Sequence, residues 1–188
     1  MSATRPITVL LAAAFVACSS PSPVLYTIAP VPGVAQPGGP KVVVLQQIAM
    51  PRYLERSQIV RSSENYRLDV MSNDWWGESL SAMLSRVLIE ELSQRLPQST
   101  VLNESGAVTA SPDATIELNF QRLDEDASGN LVLAAQASVS SKGRSAPALR
   151  TFRFVVRAPA GIEGEVTAIS TAVGQLADGL AAMIVLRR

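Results

Sequence analysis

Residues 80–96 read LSAMLSRVLIEELSQRL, and their apolar side chains recur every three or four positions. This spacing places the apolar side chains along one side of an α-helix. Pro97 ends the pattern, because proline cannot continue a helix. The charged residues fall mainly on the other side, where Glu91 and Arg95 are spaced for a weak surface ion pair. We therefore predict an amphipathic helix with one buried face.

The end of the chain has the same periodicity. Apolar residues between Val166 and Ile184 step by three and four, with many alanines between them. A second amphipathic helix is predicted there.

Before and between these helices, runs of alternating or β-branched residues are typical of strands. Predicted strands cover residues 41–47, 59–62, 66–71, 100–103, 114–123, 131–140 and 149–157. Residues 63–65 and 124–129 are expected to form turns. The second turn matches the opening of a calcium loop, but Ala135 stands where that loop needs a glutamate. We predict an α+β fold, with a mostly antiparallel sheet and two amphipathic helices packed on one face.

The first 17 residues, MSATRPITVLLAAAFVA, predict a signal peptide, because the apolar run is too short to span a bilayer. The run ends at Cys18, the protein's one cysteine. Residues 15–18 resemble a lipobox, although leucine is usual where Phe15 stands. We predict cleavage before Cys18 and its lipidation; an ordinary signal peptide with a chance cysteine is the alternative. Residues 18–40 are interpreted as a tether with a short edge strand, and residues 41–188 as the domain.

The amino-acid composition excludes several classes of function. The chain has 16 basic and 16 acidic residues and no histidine. No basic excess favours nucleic acid. Triads that use histidine, and zinc or copper sites of the usual ligands, are excluded. No catalytic site, metal site or cofactor is predicted.

Trp75 and Trp76 lie side by side before the first helix, preceded by the polar residues 72–74 as plausible helix caps. Two interpretations stay open: a hydrophobic plug, or a docking patch, since aromatic residues concentrate in interface hot spots. We expect one tryptophan to pack inward and the other to be available.

Two segments carry a resemblance to a known family. Residues 53–60 read YLERSQIV, and residues 72–97 read SNDWWGESLSAMLSRVLIEELSQRLP. Together with Cys18, the YTI at residues 26–28 and the strand at Thr100, they resemble the ABC-type transport auxiliary lipoproteins, the PqiC-like family. Gly77 and Ser79 stand where that family often has alanine and proline, which bears on how the helix begins.

The resemblance implies a non-enzymatic periplasmic domain anchored at the outer membrane. Such a domain works with an MCE-domain protein and an inner-membrane ABC transporter that move lipids, and family members can assemble into rings. We expect a docking role, with a lipid-binding carrier as the alternative and a hydrolase with an unfamiliar Ser/Asp site as a third class. The candidate contact residues are Tyr53, Leu54, Arg56, Gln58, Trp75 and Trp76.

Overall fold

The computed structural model describes residues 22–186, so the predicted signal peptide and Cys18 lie outside the described residues. The α+β class predicted from the sequence is confirmed. Within residues 22–186 the elements are β1 (Val24–Tyr26), β2 (Val42–Leu45), a 3-10 turn (Arg52–Leu54), β3 (Gln58–Ser62), β4 (Asp69–Trp76), α1 (Leu80–Arg95), β5 (Thr100–Asn103), β6 (Ala114–Glu125), β7 (Asn130–Ser141), β8 (Ala148–Arg157) and α2 (Ile162–Val185).

The sheet is mixed, so the prediction of a mostly antiparallel sheet is wrong. The strand β6 lies at its centre, and one edge of β6 pairs antiparallel with β7, which pairs antiparallel with β8. The other edge of β6 pairs parallel with β2 near its start and with β3 at its end. Beyond β2 lies the parallel strand β5; beyond β3 lie β4, which is antiparallel, and β1, which is parallel to β4.

A β-bulge in β6 determines which side chains reach the core. Phe120 pairs with Ala135 and Arg122 pairs with Ala134, so the register shifts between them. Before the bulge the even-numbered residues of β6 face the helices, and after it Leu123 takes over this role. The bulge therefore turns Arg122 to the outer face of the sheet, where a charged side chain can find polar partners.

The helix α1 begins later than the polar residues suggested. The predicted caps at residues 72–74 lie inside β4, because β4 continues to Trp76 between β1 and β3. Ser79 is the N-cap instead, and its Oγ accepts a hydrogen bond of 3.4 Å from the amide of Ala82. The strand β4 itself begins at Asp69, after Asn65 and Tyr66 adopt left-handed backbone angles in the preceding turn.

The helix α2 lies on β7 and β8 and packs against α1. A side chain at Gly179 would clash with the ring of Phe152, so the helix approaches the sheet closely there. By length and composition α2 could cross a membrane, and it is the one such helix in residues 22–186. Most of its surface is buried inside the fold, as expected for a core helix.

The described part of the predicted tether is built into the domain. The amide of Val31 donates to Glu91 Oε1 at 2.7 Å, and the amide of Gln36 donates to the carbonyl oxygen of Arg95 at 2.7 Å. Further upstream, the amide of Ala29 donates to Ser170 Oγ at 3.2 Å. Residues 29–36 are thereby fastened to both helices.

The predicted surface ion pair between Glu91 and Arg95 is wrong, because both side chains are buried. The guanidinium of Arg95 pairs with Asp178 instead and donates to the carbonyl oxygens of Val31 and Gly174. Burial raises the pKa of Glu91 to about 7. The charged end of α1 therefore clamps the N-terminal segment rather than facing water.

Candidate docking surface

The fold brings the two candidate contact segments together. In the ladder between β3 and β4, Gln58 is the register partner of Trp75, and the amide of Trp76 donates to the carbonyl oxygen of Ser57 at 2.7 Å. On the other side of β4, Leu25 of β1 is the register partner of Trp75. Directly paired residues point to the same face of a sheet, so Leu25, Trp75 and Gln58 form a row.

The six candidate residues differ in how far they can reach a partner. Leu54 and Trp76 are buried in the core, with 3% and 7% exposure. Tyr53 is partly exposed, and its hydroxyl is bonded to Asp124. Arg56 is exposed, while Gln58 and Trp75 are partly exposed. We call these last three residues the docking surface.

The two tryptophans point in different directions because they are neighbours in a strand rather than at a helix start. Trp76 joins the core cluster, and the indole Nε1 of Trp75 donates to the carbonyl oxygen of Ser72 at 3.1 Å. That bond fixes the Trp75 ring against its own strand while part of the ring remains open to solvent.

Tyr53 positions the loop that carries Arg56. Its hydroxyl donates to Asp124 Oδ2 at 2.8 Å, and Asp124 is fully buried. Arg122 completes the cluster, with its Nε 2.7 Å from Asp124 Oδ1 and an Nη 2.7 Å from Glu64 Oε1. A buried carboxylate is stabilised only when its oxygens are paired, and Asp124 has both oxygens paired here.

The protonation states of Tyr53 and Arg122 are fixed by the contacts within this cluster. Burial and the bond to Asp124 raise the pKa of Tyr53, so its hydroxyl stays protonated and acts as a donor. Partner carboxylates raise the pKa of Arg122 despite its partial burial, so its charge is fixed. Among residues 22–186 no group of three or more acidic or cysteine side chains is placed to hold a metal ion.

Two residues important to this surface cannot be identified from the sequence alone. Leu25 belongs to the row only because β1 pairs parallel with β4, a long-range contact without a local signal. The predicted turn at residues 124–129 includes Asp124, but the strand β6 continues through it and the turn begins at Asp126. The tyrosine that pairs with Asp124 lies 71 residues away.

An open groove of about 640 Å³ lies on the outer face of the sheet, away from the helices. Its lining includes the polar side chains of Gln47, Asn119, Gln136 and Thr151. Between sheet and helices, buried apolar side chains form one continuous cluster. A lipid carrier would need an apolar cavity between sheet and helices, and this groove instead lies on the outer face of the sheet and is open to solvent.

A family profile described as "ABC-type transport auxiliary lipoprotein component" matches residues 26–181. Among solved structures, one titled only as an uncharacterized protein superposes with a TM-score of 0.72 at 17% identity, covering 87% of this chain and 99% of the other. Protein XCC0632 from Xanthomonas campestris, of the DUF330 family, superposes with a TM-score of 0.71 at 13% identity, covering 87% and 95%. No curated protein matches the chain in sequence.

Proposed function

Because the chain belongs to the ABC-type transport auxiliary lipoprotein family, we propose that it docks an MCE-domain protein of a lipid transporter at the outer membrane. The family's auxiliary role implies association with a transporter. The observation that carries the docking role is the meeting of two separate segments at Trp75 and Gln58, which offers one continuous contact surface.

The anchor in this proposal is Cys18. The thiol would carry two acyl chains and the new amino terminus a third after cleavage. One acyl chain binds a membrane only marginally, whereas two or more hold it stably. Ser19 and Ser20 follow the cysteine without an aspartate, which favours sorting to the outer membrane. The domain then faces the periplasm.

The contact in this proposal is made by the docking surface. A partly exposed tryptophan supplies contact area at low entropic cost, and arginine is the other residue type enriched in interface hot spots. Trp75 and Arg56 are therefore the side chains expected to contribute most of the binding energy. Tyr53, Leu54 and Trp76 hold this surface in place from beneath.

The first experiment tests the anchor by intact mass and membrane fractionation in a Gram-negative host. We expect wild type to end at a triacylated Cys18 in the outer-membrane fraction. The variant Cys18→Ala should lose both the added mass and that location. An unmodified wild-type protein outside the membrane fraction would refute the anchor.

The second experiment tests the contact by pull-down of the MCE-domain partner. A hot-spot side chain contributes about 2 kcal/mol or more, so Trp75→Ala and Arg56→Glu should each weaken binding roughly 30-fold. Arg153→Glu is the matched control, because Arg153 is equally an exposed arginine but lies on the distant strand β8. Unchanged binding in both docking variants would refute the proposed contact. Native mass spectrometry of the same samples tests whether the protein assembles into a ring.

A further inference from the structure

The edge strand β1 exposes two apolar side chains at the end of the domain where the chain enters. Val24 is 48% exposed and Leu25 is 64% exposed. Leu25 lies beside the partly exposed Trp75, which continues the apolar row inward from the sheet edge. Leu25 and Trp75 therefore form an apolar pair on one face of the sheet edge, whereas Val24 points to the other face.

The position of Cys18 indicates what covers this edge. Six residue steps separate Cys18 from Val24, so the extended chain reaches at most about 20 Å between them. This step rests on the proposed lipid anchor. An anchor at Cys18 keeps β1 within that distance of the bilayer surface at all times. A membrane is therefore present at β1 at high effective concentration, whereas any protein partner must arrive by diffusion.

We propose that β1 rests on the membrane surface, with Leu25 at the level of the lipid headgroups and Trp75 at the margin of the contact. The outer edge of β1 carries backbone groups that need water or another partner, which limits the contact to the hydrated headgroup layer. Tryptophan is the side chain that membrane interfaces favour, because one end of the indole is apolar and the other is polar. A strand added by a protein is less favoured, since β1 offers only three residues.

This arrangement also orients the docking surface. The row runs from Leu25 at the sheet edge through Trp75 to Gln58, each one strand further from the edge. Neighbouring strands lie about 4.8 Å apart, so Gln58 lies roughly 10 Å from β1. The partner proposed above would therefore bind directly beside the membrane rather than out in the periplasm.

Fluorescence quenching by brominated phosphatidylcholine tests the proposal on the full, lipidated protein in phosphatidylcholine vesicles. Trp75 and Trp76 are the two tryptophans of the chain, and the buried Trp76 should contribute an unquenched background. We expect quenching in wild type, its loss in Trp75→Phe, and its marked reduction in Leu25→Asp. Leu149→Asp is the matched control, because Leu149 is 76% exposed on the distant strand β8, and it should quench like wild type.

Intact mass and vesicle flotation of the same samples distinguish a failure of this proposal from a failure of the proposed lipid anchor. Floating, acylated protein without quenching overturns the membrane contact and leaves the anchor in place, and it favours a protein strand on β1. Protein that is neither acylated nor floating overturns both. Circular dichroism of each variant confirms that the fold is retained.

Discussion

Glu165, in the first turn of α2, should make the stability of this protein fall as the pH rises. Its side chain is 1% exposed, and within the described residues neither carboxyl oxygen has a hydrogen-bond partner. Burial, with repulsion from Glu125, raises its pKa to about 8, while Arg61 acts in the other direction. Asp124 and Asp69 add further repulsion. Burial here outweighs the helix dipole, which stabilises an anion at this end by at most about 2 kcal/mol.

The direction of this pH dependence of stability follows from proton binding. A glutamate with a pKa of 4.5 when unfolded and about 8 when folded binds more protons in the folded state between those values. Its contribution is therefore fully present below pH 4.5 and is lost as the pH rises towards 8. Between pH 5 and pH 7 the linkage relation gives a loss of about 2 to 3 kcal/mol. The full loss above pH 8 is on the order of 5 kcal/mol.

The substitution Glu165→Gln isolates this effect, because glutamine stays neutral at every pH. The free energies of unfolding of variant and wild type, from urea titrations at pH 5, 6, 7 and 8, should diverge by about 2 to 3 kcal/mol between pH 5 and 7, in favour of the variant. Glu163→Gln is the control: Glu163 is exposed on the same turn, and this variant should keep the wild-type pH dependence. A constant difference between Glu165→Gln and wild type across this range would refute the buried, protonated carboxyl.

Two further substitutions test the contacts that fix the N-terminal segment and the loop. In Gly33→Ala the new methyl group would collide with the guanidinium of Arg95, and the resulting displacement should destabilise the protein by about 1 to 3 kcal/mol in urea unfolding. Val34→Ala, at an 83% exposed neighbour, should change stability by less than about 0.5 kcal/mol, and equal effects of the two would contradict the clamp. Tyr53→Phe leaves a buried oxygen of Asp124 without its donor and should cost about 1 to 3 kcal/mol; an unchanged urea midpoint would mean that this bond contributes nothing.

The elements with strong local periodicity could be predicted from the sequence, and the pairing between distant strands could not. Both helices and the hairpin of β6 and β7 follow from apolar spacing and a turn between the runs. In the parallel pairs, β2 is separated from β5 by two strands and α1, and from β6 by three strands and α1. Alternation within a strand says which faces are buried but not which strand lies beside it, so the mixed sheet does not follow from the sequence.

Glu91 and Arg95, with their partners Val31 and Asp178, form a buried clamp, which a prediction from charge alone places at the surface. Glu91 and Arg95 follow Leu84 and Leu88 by seven residues each, so both belong to the buried face of α1 by spacing alone. Their burial needs partners from outside the helix, which the chain supplies at Val31 and Asp178. For the docking surface, the sequence indicated both segments, but register shifts between β3 and β4 decide that Gln58 lies opposite Trp75.

The hydrogen bonds that tie Val31 and Gln36 to α1 also limit how the proposed anchor lets the domain move. A lipid anchor on a loose tether would leave the domain free to rotate, and the docking surface would lie beside the membrane only part of the time. Here the chain pairs with β4 from residue 24 onward and is then bonded to α1 through Val31 and Gln36. Only five residues of the sequence stand between Cys18 and Val24, the first residue of β1. A short connection restricts the orientations open to the domain, so the structured N-terminal segment would hold the docking surface beside the membrane.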